Sequence, residues 1–320
     1  MSNLPSSTPI YTAKTSSFWP WLLLMWGVYA GIGMVAPIDA ISSAKYGLSE
    51  MENYILRLSF QLPIFILWGS LFYGTFRFWQ YTRSIAGSSE FSGFYAIGIG
   101  LSVLIVGLVF PSYVGLLNSY YPHNPAIQQL VSMVNLYGSI ATSLIAFVAF
   151  LVGGKRLIVL VPERFSLSRA SMTVGILVTL FTLVYTYSLF HNPNRLVATT
   201  PGVEHPAYYL PSDLWIVLGV VIPYVTVWAI GLFSVLHLQH FARFVEGSVY
   251  QRAFRAIGRG IASIVLLSVG LQLLSQAGAL FVDISLTKIL VIIYLLLAAI
   301  AIGYVFIAQG ARELAKLETA

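Results

Sequence analysis

An all-α fold embedded in a lipid bilayer is predicted by three observations: the apolar residues come in runs of twenty or more, charge is scarce, and basic residues gather in alternate loops. Hydrophobic residues make up 58% of the chain and charged ones 9%, whereas a soluble domain carries roughly 45–50% and about 25%. A globular interior cannot bury so much apolar surface, so lipid must cover it. The expected architecture is a polytopic membrane protein of eight transmembrane helices, arranged as two parallel tandem four-helix repeats.

The runs and their breakers place spans near 17–36, 54–78, 92–114, 127–151, 167–190, 214–237, 259–282 and 286–310. Residues 1–16, rich in Ser, Thr and Pro, read as a disordered tail. The first apolar run is too long for a cleaved signal segment and is read as a retained helix. With the amino terminus in the cytoplasm, only Lys45, Arg57, Arg195 and Lys288 among the 17 basic residues fall outside. The positive-inside bias therefore puts both termini in the cytoplasm of a multi-pass protein of the cytoplasmic (inner) membrane. Tyr113, Tyr120, Tyr121, Tyr208 and Tyr209 read as an aromatic belt at the outer boundary. The triplets His123-Asn124-Pro125 and His191-Asn192-Pro193 read as helix stops there.

Sliding the chain against itself by 160 residues aligns Pro63 with Pro223, Trp68 with Trp228, Arg83 with Arg243 and Gly98 with Gly258. Ten identities accumulate over residues 63–100, against about three by chance at ordinary composition. The halves are 17–160, the first repeat, and 161–320, the second with a short carboxyl-terminal tail. Four spans per unit make the copies parallel, with a pseudo-two-fold axis along the membrane normal. Pro63 and Pro223 should each kink a helix. Gly98, Gly100, Gly258 and Gly260 should permit close helix approach. Residues 243–259, with Arg252, Arg255 and Arg259, read as a short basic amphipathic helix lying on the inner surface.

Several chemistries are excluded or lack residues to carry them. There are no cysteines, hence no disulfide, thiolate metal site or cysteine nucleophile. The net charge of +6 is accounted for by the inner loops, so no nucleic-acid partner is expected. No nucleophile motif, phosphate loop or metal-ligand set is present, so neither cofactor nor metal is expected. His237 and His240 share a helical face but lack the third and fourth ligands a metal requires. Arg57 and Lys288 lie near outer span ends, where snorkelling accommodates them.

Polar groups within hydrocarbon mark helix contacts or a site. The fourth span stacks Gln128, Ser132, Asn135, Ser139 and Thr142 on one face, the fifth carries Thr179, Thr182 and Thr186, and the seventh carries Gln272 and Gln276. Serines and threonines are expected to bond back to their own helix. The candidate intramembrane polar site is Asn135, Gln272, Gln276, Ser132 and Ser139, with the two deep amides needing partners. The functional expectation is a non-enzymatic assembly or scaffold subunit of a membrane complex, contacting membrane lipids and either a membrane-protein partner or a second copy of itself. The alternative is a permease or channel for a small neutral or apolar molecule at the interface of the repeats. An intramembrane or lipid-modifying enzyme is a second alternative, requiring an acid or histidine beside a serine in a cleft.

Overall fold

The computed structural model describes residues 18–35, 49–121, 124–161, 167–191, 217–244, 251–277 and 286–317, although some side chains within those helices are not described. Every regular element among the described residues is helical. In chain order they are α1 (Phe18–Val35), α2 (Glu50–Ser84), α3 (Phe91–Tyr120), and α4, which joins Pro125–Met133, a π-turn Val134–Gly138 and Ser139–Ile158. There follow α5 (Leu167–His191), α6 (a π-turn Val217–Val221, then Ile222–Phe244), α7 (Gln251–Ala277) and α8 (Leu286–Leu317). Five helices among the described residues are long and apolar enough to cross a membrane: Phe91–Leu117, Pro125–Ile158, Ser168–Tyr187, Leu218–Arg243 and Leu297–Lys316. A shorter apolar helix covers Pro20–Met34. The expected tail 1–16 lies outside the described residues.

Local chemistry explains where these helices begin. Ser49 starts α2 with a capping box: its hydroxyl accepts from the Glu52 N–H, and its own N–H donates to Glu52 Oε2 at 2.8 Å. Those bonds, the backbone one first, hold the Glu52 carboxyl below its ordinary pKa. Asn124 accepts from the N–H groups of Ala126 and Ile127 at 3.1 and 3.3 Å, with Pro125 at the first helical position. The first His-Asn-Pro triplet therefore starts a helix instead of stopping one, because the amide fills the orphan donors that proline leaves behind it. In the second triplet His191 ends α5, and Asn192 and Pro193 lie outside the described residues.

Prolines are accommodated in two ways. Pro63 and Pro111 sit inside the continuous helices α2 and α3. Pro223 instead follows the π-turn Val217–Val221, which contains Gly219, the residue whose carbonyl a proline at 223 would crowd in a regular helix.

The expected surface helix over 243–259 does not form as a separate element. α6 ends at Phe244, residues 245–250 are outside the description, and Gln251 to Arg259 are the first turns of α7. Packing explains why. Ala253 and Ile257 are buried against Gly310 of α8, where a methyl at Gly310 would lie 2.5 Å from the Ala253 carbonyl oxygen. These turns are held against α8, with Arg252 and Arg259 exposed and Arg255 half-buried.

Glycine and aromatic contacts define how the helices stack. α3 runs antiparallel to α4, with Gly93 against Leu157 and Gly153, Gly100 against Phe150, and Gly107 against Thr142. α7 and α8 are joined likewise, Gly260 meeting Gly303 and Ile307. Small residues let backbones approach where lipid supplies no hydrophobic drive for helix association. α4 and α6 run side by side in the same direction, pairing Tyr137 with Gly219, Phe147 with Gly231 and Gly154 with His237. α8 packs on α2 through Tyr304 and Gly74. α1 and α5 are peripheral: α1 is tied to the rest by Trp26 Nε1 donating to the Gln61 carbonyl (3.3 Å) and Tyr113 OH donating to the Met25 carbonyl (2.6 Å).

Candidate functional site

The fourth-span polar face begins at buried Gln128 and dissolves into local hydrogen bonding below it. Ser139 Oγ donates to the Leu136 carbonyl at 2.9 Å and Thr142 Oγ1 to the Gly138 carbonyl at 2.7 Å, as serine and threonine do inside a helix. Thr182 does the same with Val178, while Thr179 is exposed. Asn135 lies on the π-turn of α4 with its side chain exposed. Counting back from Lys155 to Asn135 covers about 20 residues or about 30 Å of helix, the full thickness of the hydrocarbon core. The side chains of Ser132, Gln272 and Gln276 lie outside the described residues.

The repeat positions are structural ones. Trp68 and Trp228 are buried, each inside an aromatic cluster: Tyr29 and Tyr113 pack on Trp68 at 5.1 and 5.8 Å between ring centres, and Tyr185 and Tyr224 on Trp228 at 5.5 and 5.9 Å. Such separations leave no room for a ligand between the rings, so they act as packing. Arg83 and Arg243 are exposed at the same end of the bundle. Gly98 faces the Trp79 ring at 3.0 Å, whereas Gly258 has open space where a side chain would stand. The close-approach role therefore belongs to Gly98, Gly100 and Gly260, and not to Gly258.

No protein family, curated protein or solved structure matches this chain. Its functional reading rests on the geometry alone.

Two features bear on that reading. The first is the seam between α1–α4 and α5–α8. Phe94 and Phe254, which stand at equivalent positions in the sequence alignment, stack on one another at 5.7 Å. Tyr81 meets Phe94 edge-on at 5.4 Å and Phe241 meets Phe254 edge-on at 5.2 Å. Phe147, Phe150 and Tyr304 are fully buried nearby. In this dry seam Thr75 Oγ1 on α2 and Tyr304 OH on α8 have no hydrogen-bond partner among the described residues, which costs about 1–3 kcal/mol each unless a small polar molecule satisfies them.

The second feature is the outer surface. On α1, Gly27 and Gly31 are exposed, and a methyl added at either would touch nothing within 4 Å. On α5, Ser171, Gly175 and Thr179 are exposed at the same four-residue spacing, with Gly175 equally open. Sequence reasoning passed over the glycines of α1 because a glycine reads the same whether a neighbour fills its gap or nothing does. His237 is buried, and its Nδ1 donates to the Phe233 carbonyl at 2.7 Å, the same one-turn bond that a helical serine makes. Among the described residues no group of three or more metal-ligating side chains occurs.

Proposed function

We propose that this chain is a non-enzymatic assembly subunit of the cytoplasmic membrane, spanning the bilayer eight times with both termini in the cytoplasm. In this reading α1–α4 and α5–α8 are two parallel repeats. The stacking of Phe94 on Phe254 supports it, because equivalent residues touch only near a pseudo-two-fold axis. The matching edge-on pairs support it too, as does the way Gly153 meets Gly93 and Ile97 while Gly310 meets Ala253 and Ile257, partners that stand 160 residues apart. The orientation is supported by Arg83, Lys155, Arg243, Arg252 and Arg312, which gather at one end.

The observation that carries the assembly role is the contrast between glycines. Most glycines inside the bundle are filled by neighbouring helices, Gly115 and Gly258 excepted; on α1 and α5 the Gly27/Gly31 and Ser171/Gly175/Thr179 stripes face outward with nothing on them among the described residues. Lipid gains little from such a groove, whereas a helix gains close van der Waals contact. The test uses the absence of native cysteine: single cysteines at Gly31 and Gly175 are oxidised in native membranes. Crosslinks to a second copy or to another membrane protein are expected at both. Absence of any crosslink at either position would refute the assembly role.

The permease reading keeps one supporting observation, the hydroxyls of Thr75 and Tyr304, which have no hydrogen-bond partner among the described residues. Solute flux in proteoliposomes that Tyr304→Phe abolishes would favour it over assembly.

A further inference from the structure

The α4–α6 groove changes character along its length. On α4 the exposed residues follow helical spacing as Ile145, Val148, Val152, Lys155 and Val159, so the apolar stripe runs directly into a cation and past it. On α6 the exposed Ile222 and Thr226 lead through half-buried Phe233 to His240 and exposed Arg243. Gly154 brings the helices together at this level, since a methyl there would stand 3.0 Å from His237 Cβ. Lys155 and His240 both lie close enough to His237 to act on it electrostatically. Arg156 turns the other way and donates to the Ser92 carbonyl on α3 at 3.2 Å. Neither α4 nor α6 contains an Asp or Glu. Glu163 and Glu246, on the loops that leave these helices, lie outside the described residues.

We propose that the basic end of the α4–α6 groove binds the phosphate of an anionic phospholipid, with Lys155, His240 and Arg243 around the headgroup and an acyl chain along Ile145, Val148 and Val152. A lipid fits better than an acidic protein because Lys155 follows directly on the apolar stripe Ile145, Val148 and Val152 of the same helix face. A ligand reaching Lys155 from the membrane side must therefore carry hydrocarbon behind its negative charge. Basic pockets between membrane helices select anionic headgroups in this way. The proposal rests on the membrane-spanning reading of α4 and α6 and is independent of the assembly role, which the crosslinking experiment tests separately.

The experiment is native mass spectrometry of the full chain released from nanodiscs of equal phosphatidylglycerol and phosphatidylcholine. Wild-type protein is expected to retain one phosphatidylglycerol in preference. Lys155→Gln/Arg243→Gln is expected to weaken that preference by roughly 25-fold, about fivefold per cation. Arg252→Gln/Arg259→Gln, on α7 and outside the groove, should keep it, and Lys155→Arg should keep it too. Equal loss in both double variants would mean diffuse surface charge and overturn the site. Absence of preference in the wild type would overturn it as well, leaving the cations to the loop carboxylates. Displacement by inorganic phosphate at equal concentration would show that the acyl groove plays no part, and that also refutes the proposal.

Discussion

Substituting alanine at Gly74 and at Gly258 isolates the contact that holds α8 against α2. A methyl at Gly74 would stand 2.6 Å from the Tyr304 carbonyl oxygen and 3.2 Å from its Cβ, whereas at Gly258 it would meet nothing within 4 Å. Carbon–oxygen contacts settle at about 3.3 Å or more, so the helices must part by about 0.7 Å at Gly74. Overpacking of this kind costs about 1–3 kcal/mol. Both substitutions gain about 1 kcal/mol of helix propensity. That gain cancels in the comparison, and the difference between variants reports the clash alone. Gly258→Ala is expected to match or exceed wild-type stability, and Gly74→Ala to fall about 1–3 kcal/mol below Gly258→Ala. At about 2–4 °C per kcal/mol, thermal unfolding in detergent should separate the two by about 2–12 °C. Equal melting temperatures, or a higher one for Gly74→Ala, would refute the close packing of α2 on α8.

Tyr304→Phe removes a buried hydroxyl without a partner among the described residues and should leave stability unchanged or raise it by about 1 kcal/mol; a fall of that size in the same melting assay would reveal a bound polar partner. Phe94→Leu and Phe254→Leu should show a coupling of about 0.5–1.5 kcal/mol in a double-mutant cycle, since the rings stack at 5.7 Å; additive effects would exclude the stack. Asn135→Leu is expected to cost no stability because the side chain is exposed, and a marked loss would mean that the amide has a partner. The lowered pKa of Glu52 means its cap stabilises α2 above the unfolded value of about 4.3 and is lost as pH falls through the lower folded value. Amide exchange at Glu52, corrected for intrinsic rate, should therefore speed up between pH 6 and pH 3 in wild type but not in Ser49→Ala.

Helix identity was legible because long apolar runs survive any detail of packing. Boundaries were less so. α7 begins at Gln251 and not near 259 because Ala253 and Ile257 bury against α8, a tertiary contact that overrides the surface-helix look of three arginines. Of the polar site, Asn135 is exposed and Ser139 bonds back to its own helix, while the side chains of Ser132, Gln272 and Gln276 lie outside the described residues. Asn135 stands on the π-turn of α4, about 30 Å of helix from Lys155, and its depth depends on which turns of this long helix lie in the hydrocarbon. Hydropathy marks the apolar stretch of a helix, not the depth at which each residue rests. Gly98 and Gly258 align at the 160-residue offset and yet differ in what they face, because matching residues at two places in a chain do not fix the neighbours that pack on them.

The lengths of α2 and α8 bear on how such a molecule works. They contain 35 and 32 residues, about 52 and 48 Å of helix, where about 20 residues cross the hydrocarbon. At the basic end the last turns of α8 are packed, with Ala311 and Leu314 buried, while Leu157 of α4 and Ala253 of α7 are buried against Gly93 and Gly310. In lipid, helices gain no hydrophobic drive to associate; where the same helices emerge into water, each buried apolar side chain again contributes about 1.5–3 kcal/mol. In the eight-span reading proposed above, the Phe94–Phe254 stack therefore adds cohesion between the halves where the helices leave the hydrocarbon. Rocking one half against the other, as alternating access requires, would have to break that cohesion in every cycle. A fixed seam with open small-residue grooves on its outermost helices suits a part that others assemble around.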